Sequence, residues 1–332
     1  MKKIVSAPGA LIISLDFELF WGLRDRTTLA AYGANILGAR KAVRRLLKLF
    51  SDYEIHATWA AVGFLFFENR HELVAALPMV KPDYHSTILC NYKHIKHIGL
   101  TEADDPYHFA HSLINLIAKT PFQEVGSHTF SHFYCLEKGQ DVAAFTGDIK
   151  AAIKAGEKFK LNIKSLVFPR NQYNHNYLGA CRDLGIIAYR GNKESYLYSV
   201  RVNVRDNLAR RSLRLLDAYV NISGHGCYAL QDMSDTPPIN LPASHFLRPF
   251  FPRLHAFEVL RLKRIRESLT HAGRQGLIYH LWWHPHNFGA NLQKNLDFLR
   301  HVLDHFKRLQ RRYGMVSSNM GEMALQVLEV NC

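Results

Sequence analysis

Apolar residues follow two rhythms along the chain. Residues 10–15 (ALIISL) form a short continuous apolar run, as in a strand buried on both faces, and residues 33–51 then carry apolar positions at helical spacing. The pair recurs: strand 54–62 precedes a short helix 68–77, strand 123–127 precedes helix 139–160, and strand 165–168 precedes helix 173–184. Strand 186–189 follows, then residues 276–283 (GLIYHLWW) as a further strand and 292–313 as a long amphipathic helix. Such alternation predicts an α/β fold with a parallel sheet closed into a barrel, whose catalytic side chains gather where strands end. Two stretches interrupt it and read as insertions shaping a rim: 78–106, rich in histidine and tyrosine, and 221–253, with Pro237-Pro238, Pro242, Pro249 and Pro252. The expectation is one domain over residues 1–332.

Composition changes this picture little. Of 332 residues, 48% are hydrophobic and 21% charged, ample for a large core. Lysine plus arginine, 42, exceed aspartate plus glutamate, 28, which favours an anionic partner without naming one. The basic runs at Arg261, Lys263, Arg264, Arg266 and at Arg308, Arg311, Arg312 read as solvated helix faces. Five cysteines without a C-x-x-C pair indicate reduced thiols rather than a zinc ribbon or a disulfide framework. No signal-peptide pattern is complete and no apolar run spans a bilayer, so the expected location is cytoplasmic.

The chemistry sits at the ends of the predicted strands. Asp16 and Glu18 are two apart and share a face of the first strand, suited to metal binding or proton transfer. His128 and His132, four apart after the third strand, can grip one metal ion; with a carboxylate and open positions they make the ligand set of a hydrolytic centre. Arg170 brings a guanidinium able to hold a carboxylate in one orientation. The run 282–288 (WWHPHNF) brings His284 as a general acid, with tryptophans whose flat faces suit a sugar.

These motifs, in this order, resemble the polysaccharide deacetylase (NodB-homology) family, carbohydrate esterase family 4. ISLDFE is similar to the first motif of that family, IHATWAAVG to its second strand, EVGSHTFSH to its His-Ser/Thr-x-x-His motif, VFPRNQ to its arginine-bearing third motif and WWHPHNF to its last. The resemblance implies a distorted (β/α)7-8 barrel and a divalent metal, Zn2+ first, held by Glu18, His128 and His132. Glu18 stands where the family more often has aspartate. It implies Asp16 as general base toward the attacking water, Arg170 as the residue orienting Asp16, and His284 as donor to the leaving amine. Asp217 is a candidate for positioning His284, the backbone after Arg170 for stabilising an oxyanion, and Trp283, His286 and Asn287 for touching substrate.

The implied reaction removes an N-acyl group, acetyl first, from an amino sugar or glycan precursor in cell-envelope polysaccharide assembly. Two alternatives stay open: hydrolysis of a small non-sugar amide, as in the allantoinase-like branch, and a catalytically silent barrel that binds a glycan or anion. A lipid-linked substrate and peripheral membrane contact through residues 256–269 are open too, whereas no nucleic-acid partner is expected and the oligomeric state is undetermined. Other histidine pairs, His94/His97, His108/His111 and His301/His305, read as loop or helix surface.

Overall fold

The computed structural model describes residues 8–198 and 208–330. Strands and helices alternate as β1 (Ala10–Phe17), α1 (Leu29–Asp52), β2 (Ala57–Ala61), α2 (Arg70–Ala75), α3 (Asn91–His94), α4 (His111–Lys119), β3 (Gln123–Ser127), α5 (Val142–Glu157), β4 (Ser165–Val167), α6 (Leu178–Asp183) and β5 (Ala188–Arg190). The chain continues through α7 (Leu208–Asp217), β6 (Ile239–Asn240), β7 (His245–Phe246), α8 (Glu258–Gln275), β8 (Ile278–Trp283), α9 (Leu292–Tyr313), β9 (Val316–Ser318) and α10 (Met320–Val330). Local signals set several boundaries. Thr28 and Asp141 cap α1 and α5 by accepting from Ala31 N and Ala144 N, while Gly276 and Gly314, in the left-handed region, end α8 and α9.

All named strands lie parallel in one sheet, ordered β6-β5-β4-β3-β2-β1-β8-β7, with β9 beside the start of β1. The two ends of this order are consecutive in the chain. Leu241 N donates to Tyr189 O and Ala243 N to Gly191 O, extending the pairing with β5; Ser244 N to His280 O and Leu247 N to Trp282 O then pair with β8. One extended segment, 239–247, thereby closes the curled sheet into a barrel, as the alternation predicted. It lies inside the stretch 221–253 read as an insertion, so part of that stretch belongs to the barrel wall.

The strand period of two explains both core and site. All eight residues of β1 are buried. Leu11, Ile13, Leu15 and Phe17 face outward into the core shared with α1 and α9; Ala10 and Ile12 face inward, where they meet Met320, Met323 and Val327 of α10. Helix α10 thus packs against the amino ends of the strands, with Met320 N donating to Thr58 Oγ1 and Gly321 N to Glu124 Oε2. The inward face then turns polar, through Ser14 to Asp16, toward the carboxyl ends.

Arg261 and Arg264, expected on a solvated helix face, are buried: Arg261 lies over the Phe298 ring and pairs with Glu258, and Arg264 donates to Gly224 O. Cys90, Cys135, Cys181 and Cys227 are free thiols. Among the described residues no helix is long and apolar enough to cross a membrane.

Candidate active site and metal centre

At the carboxyl ends of the strands, register brings distant motifs together. Asp16 lies beside Ala60 of β2, which lies beside Gly126 of β3; these small inward residues leave the space that the polar groups beyond them fill. On the other side Leu15 pairs with Trp283, so His284, one residue further, reaches the level of Asp16.

Glu18, His128 and His132 are buried, and one ligand atom from each lies within 4.8 Å of the others. His132 Nε2 is 3.1 Å and His128 Nε2 3.3 Å from Glu18 Oε2. His128 Nδ1 lies 2.8 Å from the Val167 carbonyl, which can only accept, so Nδ1 carries a proton and Nε2 is the nitrogen left to face the carboxylate and a cation. His128 Nε2 has no aligned hydrogen bond of its own. A buried ring nitrogen beside a carboxylate oxygen, without an aligned hydrogen bond, is a place where a cation would satisfy both groups. Burial pushes His132 down to about 4, so near neutral pH it is the uncharged imidazole a metal requires. A methyl group at Gly22 would overlap the Glu18 carboxylate, so the loop after β1 leaves only enough room for this geometry. The donor set fits a divalent cation.

The turn holding the two histidines is built, rather than helical. Thr129 and His132 have positive φ, and Thr129 Oγ1 accepts from Phe133 N at 2.6 Å. The buried Asp148 accepts from Phe130 N and from the Ser131 hydroxyl, each at 2.5 Å. Asn91 Nδ2 donates to Trp21 O at 3.1 Å and Ser131 O at 2.9 Å, tying the Glu18 loop to the histidine turn. Stretch 78–106, expected at a rim, therefore also braces the site from behind.

Asp16 is held by an arginine, but not by Arg170. Arg190, at the end of β5, donates from Nη1 to Oδ1 at 2.6 Å and from Nη2 to Oδ2 at 2.7 Å, and it also reaches Ser14 and Asn171. Arg170 turns away to Asp25 and Glu137 and stacks over Tyr134, because positive φ at Arg170 and Asn171 bends the chain there. Burial raises the Asp16 carboxyl, but Arg190, with His284 and His128, brings it below the ordinary aspartate value.

His284 Nε2 lies 3.7 Å from Asp16 Oδ2 and 3.8 Å from Glu18 Oε1, and its Nδ1 has no partner among the described residues. Asp217 does not position it; that carboxylate is occupied by Ser223, Tyr198 and the backbone of Ile222. Nor is the backbone after Arg170 free to stabilise an oxyanion, since Asn171 N and Gln172 N close the turn onto Phe168 O and Pro169 O.

The site opens into a cleft of about 290 Å³, bordered by Trp282, Phe246, His286, Asn287 and Arg26. Trp283, expected at the substrate, is wholly buried against Phe50 and Phe288. Alternation along β8 allows only one of the two tryptophans to face inward; it is Trp282, which lies under Arg190 at 4.1 Å. His286 stacks on His284, its Nδ1 4.0 Å from Glu18 Oε1.

No protein-family model and no curated protein matches the sequence. Solved structures are similar in three dimensions. A Mycobacterium smegmatis protein assigned as a polysaccharide deacetylase aligns with TM-score 0.58 at 13% identity, over 98% of this chain and 94% of that one. The chain has the fold of the polysaccharide deacetylases. PuuE allantoinase aligns with TM-score 0.56 at 12% identity, over 97% and 91% of the two chains. For the 4-alpha-glucanotransferase of Thermococcus litoralis the score is 0.53 at 10% identity, over 96% of this chain and 40% of that one. At such identities the likeness establishes the barrel, and the chemistry rests on the side chains at its mouth.

Within this deacetylase fold, the motifs did not single out Arg190, offered Trp282 only beside the Trp283 that was expected at the substrate, and did not single out Asn91. The first two carried a readable signal. Arg190 is in step with the inward-facing Ala188, and Trp282 with Ile278 and His280. Asn91 carried none, because its role depends on two loops distant in sequence.

Proposed function

We propose that this chain is a divalent-metal-dependent amide hydrolase that removes an N-acyl group, acetyl first, from an amino sugar or glycan precursor of cell-envelope polysaccharide. The observation that carries the reading is the meeting of Glu18, His128 and His132 around one point, with Asp16 and His284 beside them. An amide resists hydrolysis because its carbonyl is weakly electrophilic and its amine leaves poorly, so a catalyst must activate water, polarise the oxygen and supply a proton. A cation held by Glu18, His128 and His132, with zinc the first choice for a set containing two imidazoles, would polarise the acyl carbonyl and make water more acidic.

The chain's own residues do the rest. Asp16, kept ionised by Arg190, takes a proton from the attacking water as its oxygen bonds to the carbonyl carbon. The C–N bond breaks as His284 donates a proton from Nε2 to the amine nitrogen, giving a carboxylic acid, which loses its proton to solvent, and a free amine; the proton on Asp16 then passes to His284 and restores both groups. Trp282 offers the cleft a flat apolar face on which a sugar ring can stack.

The test is a panel of N-acetylated sugars, N-formylated sugars and small cyclic ureides, incubated with metal-loaded and metal-stripped protein and scored for the acid released. The expected outcome is metal-dependent release from an amino sugar, with Asp16→Asn and His284→Ala each lowering kcat by about 10²–10⁴. Turnover of the ureides alone would assign the small-amide chemistry instead. An Asp16→Asn protein as active as the parent would remove the mechanism.

A further inference from the structure

The cleft does not end at His284. A second cavity of about 320 Å³ adjoins it, and Phe246, Trp282 and His284 line both. Among the described residues its wall carries Lys193, Arg214 and Arg248, beside the already paired Arg170, and no aspartate or glutamate. The first three of these cations come from three places: just after β5, from α7 and just after β7. Lys193 Nζ donates to Ser223 Oγ at 2.6 Å and Gly224 O at 3.2 Å; its nearest carboxylate, Asp217, is 3.8 Å away and equally close to Arg264. Burial, with Arg264 nearby, brings the Lys193 ammonium down to about 8. Arg248 is half-buried, and among the described residues no carboxylate lies within ion-pair distance of it; its Nη2 donates at 3.4 Å to the Arg214 carbonyl.

A guanidinium partly out of water and without a counter-charge is unfavourable unless something anionic meets it. Cations approaching one volume from different elements suit a tetrahedral group with oxygens in several directions better than a planar carboxylate. We infer that this cavity is a subsite for a phosphoryl group of the substrate, so that the chain acts on a phosphorylated or phosphodiester-linked N-acyl amino sugar. The substrate half of the inference rests on the amide-hydrolase reading; the anion half stands without it. The basic balance of the chain, 42 against 28, would add long-range attraction for such a substrate.

The first measurement is calorimetric titration of the full chain with inorganic pyrophosphate, beside Arg248→Gln, Arg248→Lys and Arg274→Gln. Arg274 is an exposed cation outside this cavity, and its variant removes the same charge. Binding is expected to weaken about tenfold or more in Arg248→Gln, to be partly kept in Arg248→Lys and to be unaltered in Arg274→Gln. No binding by the parent, or equal weakening in Arg248→Gln and Arg274→Gln, overturns the subsite. The second measurement compares kcat/KM for an N-acetylhexosamine 1-phosphate, a uridine-diphosphate-linked N-acetylhexosamine and a polyprenyl-phosphate-linked one, each relative to a neutral N-acetylhexosamine. The substrate whose ratio falls about tenfold in Arg248→Gln identifies the source of the phosphoryl group, whereas a neutral sugar preferred over all three overturns the substrate assignment. Pyrophosphate binding that depends on Arg248, without acid released from any substrate, would remove the hydrolase reading and leave the anion subsite standing.

Discussion

Asp16 and Glu18 stand two residues apart on one face of the chain, and their neighbours give them different properties. Burial raises both carboxyls; Arg190 then brings Asp16 below its usual value, while His284 and the two ligand imidazoles bring Glu18 well below its own. Arg190→Met should therefore lower kcat more than tenfold and destabilise the chain by about 3–5 kcal/mol, because it leaves a buried carboxylate unpaired. Arg170→Met should cost far less activity; kinetics and urea unfolding on the two variants separate the roles, and equal losses would favour Arg170 as the orienting group. Gly22→Ala places a methyl group against the Glu18 carboxylate. Its metal affinity should fall about 10–100-fold with the unfolding midpoint little changed, as measured by chelator competition. At this scale the sequence exposed the two acids and His284 because they close runs of apolar residues, and His128 and His132 because they stand at ligand spacing after a predicted strand. It hid the arginine's identity, because two arginines end neighbouring strands and only the positive φ at Arg170 turns the first one away.

Among the elements, the short α3 does more than its length suggests. Its buried Asn91 holds the Trp21 and Ser131 carbonyls at once, and Tyr92 donates to Asp148 at 2.7 Å, the same carboxylate that shapes the histidine turn. Asn91→Ala should cost about 1–3 kcal/mol and weaken metal binding although no ligand is changed. Faster hydrogen exchange at the amides of 128–132 would report the loosened turn; unaltered exchange and affinity would make α3 a bystander. The long elements were legible from periodicity, α9 to the residue. The closing segment 239–247 was not, since β6 and β7 are two residues each, too short to show alternation and surrounded by prolines. β9 and α10 were missed for a related reason: a three-residue strand gives little pattern, and their packing under the barrel is a tertiary fact.

The molecule as a whole is a barrel whose interior grades from apolar at the α10 end to charged at the open end. His280 sits midway, wholly buried, bonded to Ser14 Oγ and the Leu241 carbonyl. Burial, aided by Arg190, takes its pKa from 6.5 down to about 3. Because the folded value is the lower one, the stabilisation is fully present above about pH 6.5 and is lost as pH falls toward 3, by up to roughly 1.4 kcal/mol per unit. His280→Gln should flatten the pH dependence of urea unfolding across that window; an unchanged slope would place the acid sensitivity elsewhere. The fold class was readable from alternation, and the comparisons with solved structures agree with it. What the barrel's mouth does depends on a few side chains meeting in space.

The most direct measurement of that meeting is calorimetric titration of metal-stripped protein with zinc. One site per chain is expected, lost in His132→Ala and Glu18→Gln and kept in Asp16→Asn. A parent that takes up no stoichiometric zinc, or a His132→Ala variant that binds as tightly as the parent, would contradict the account.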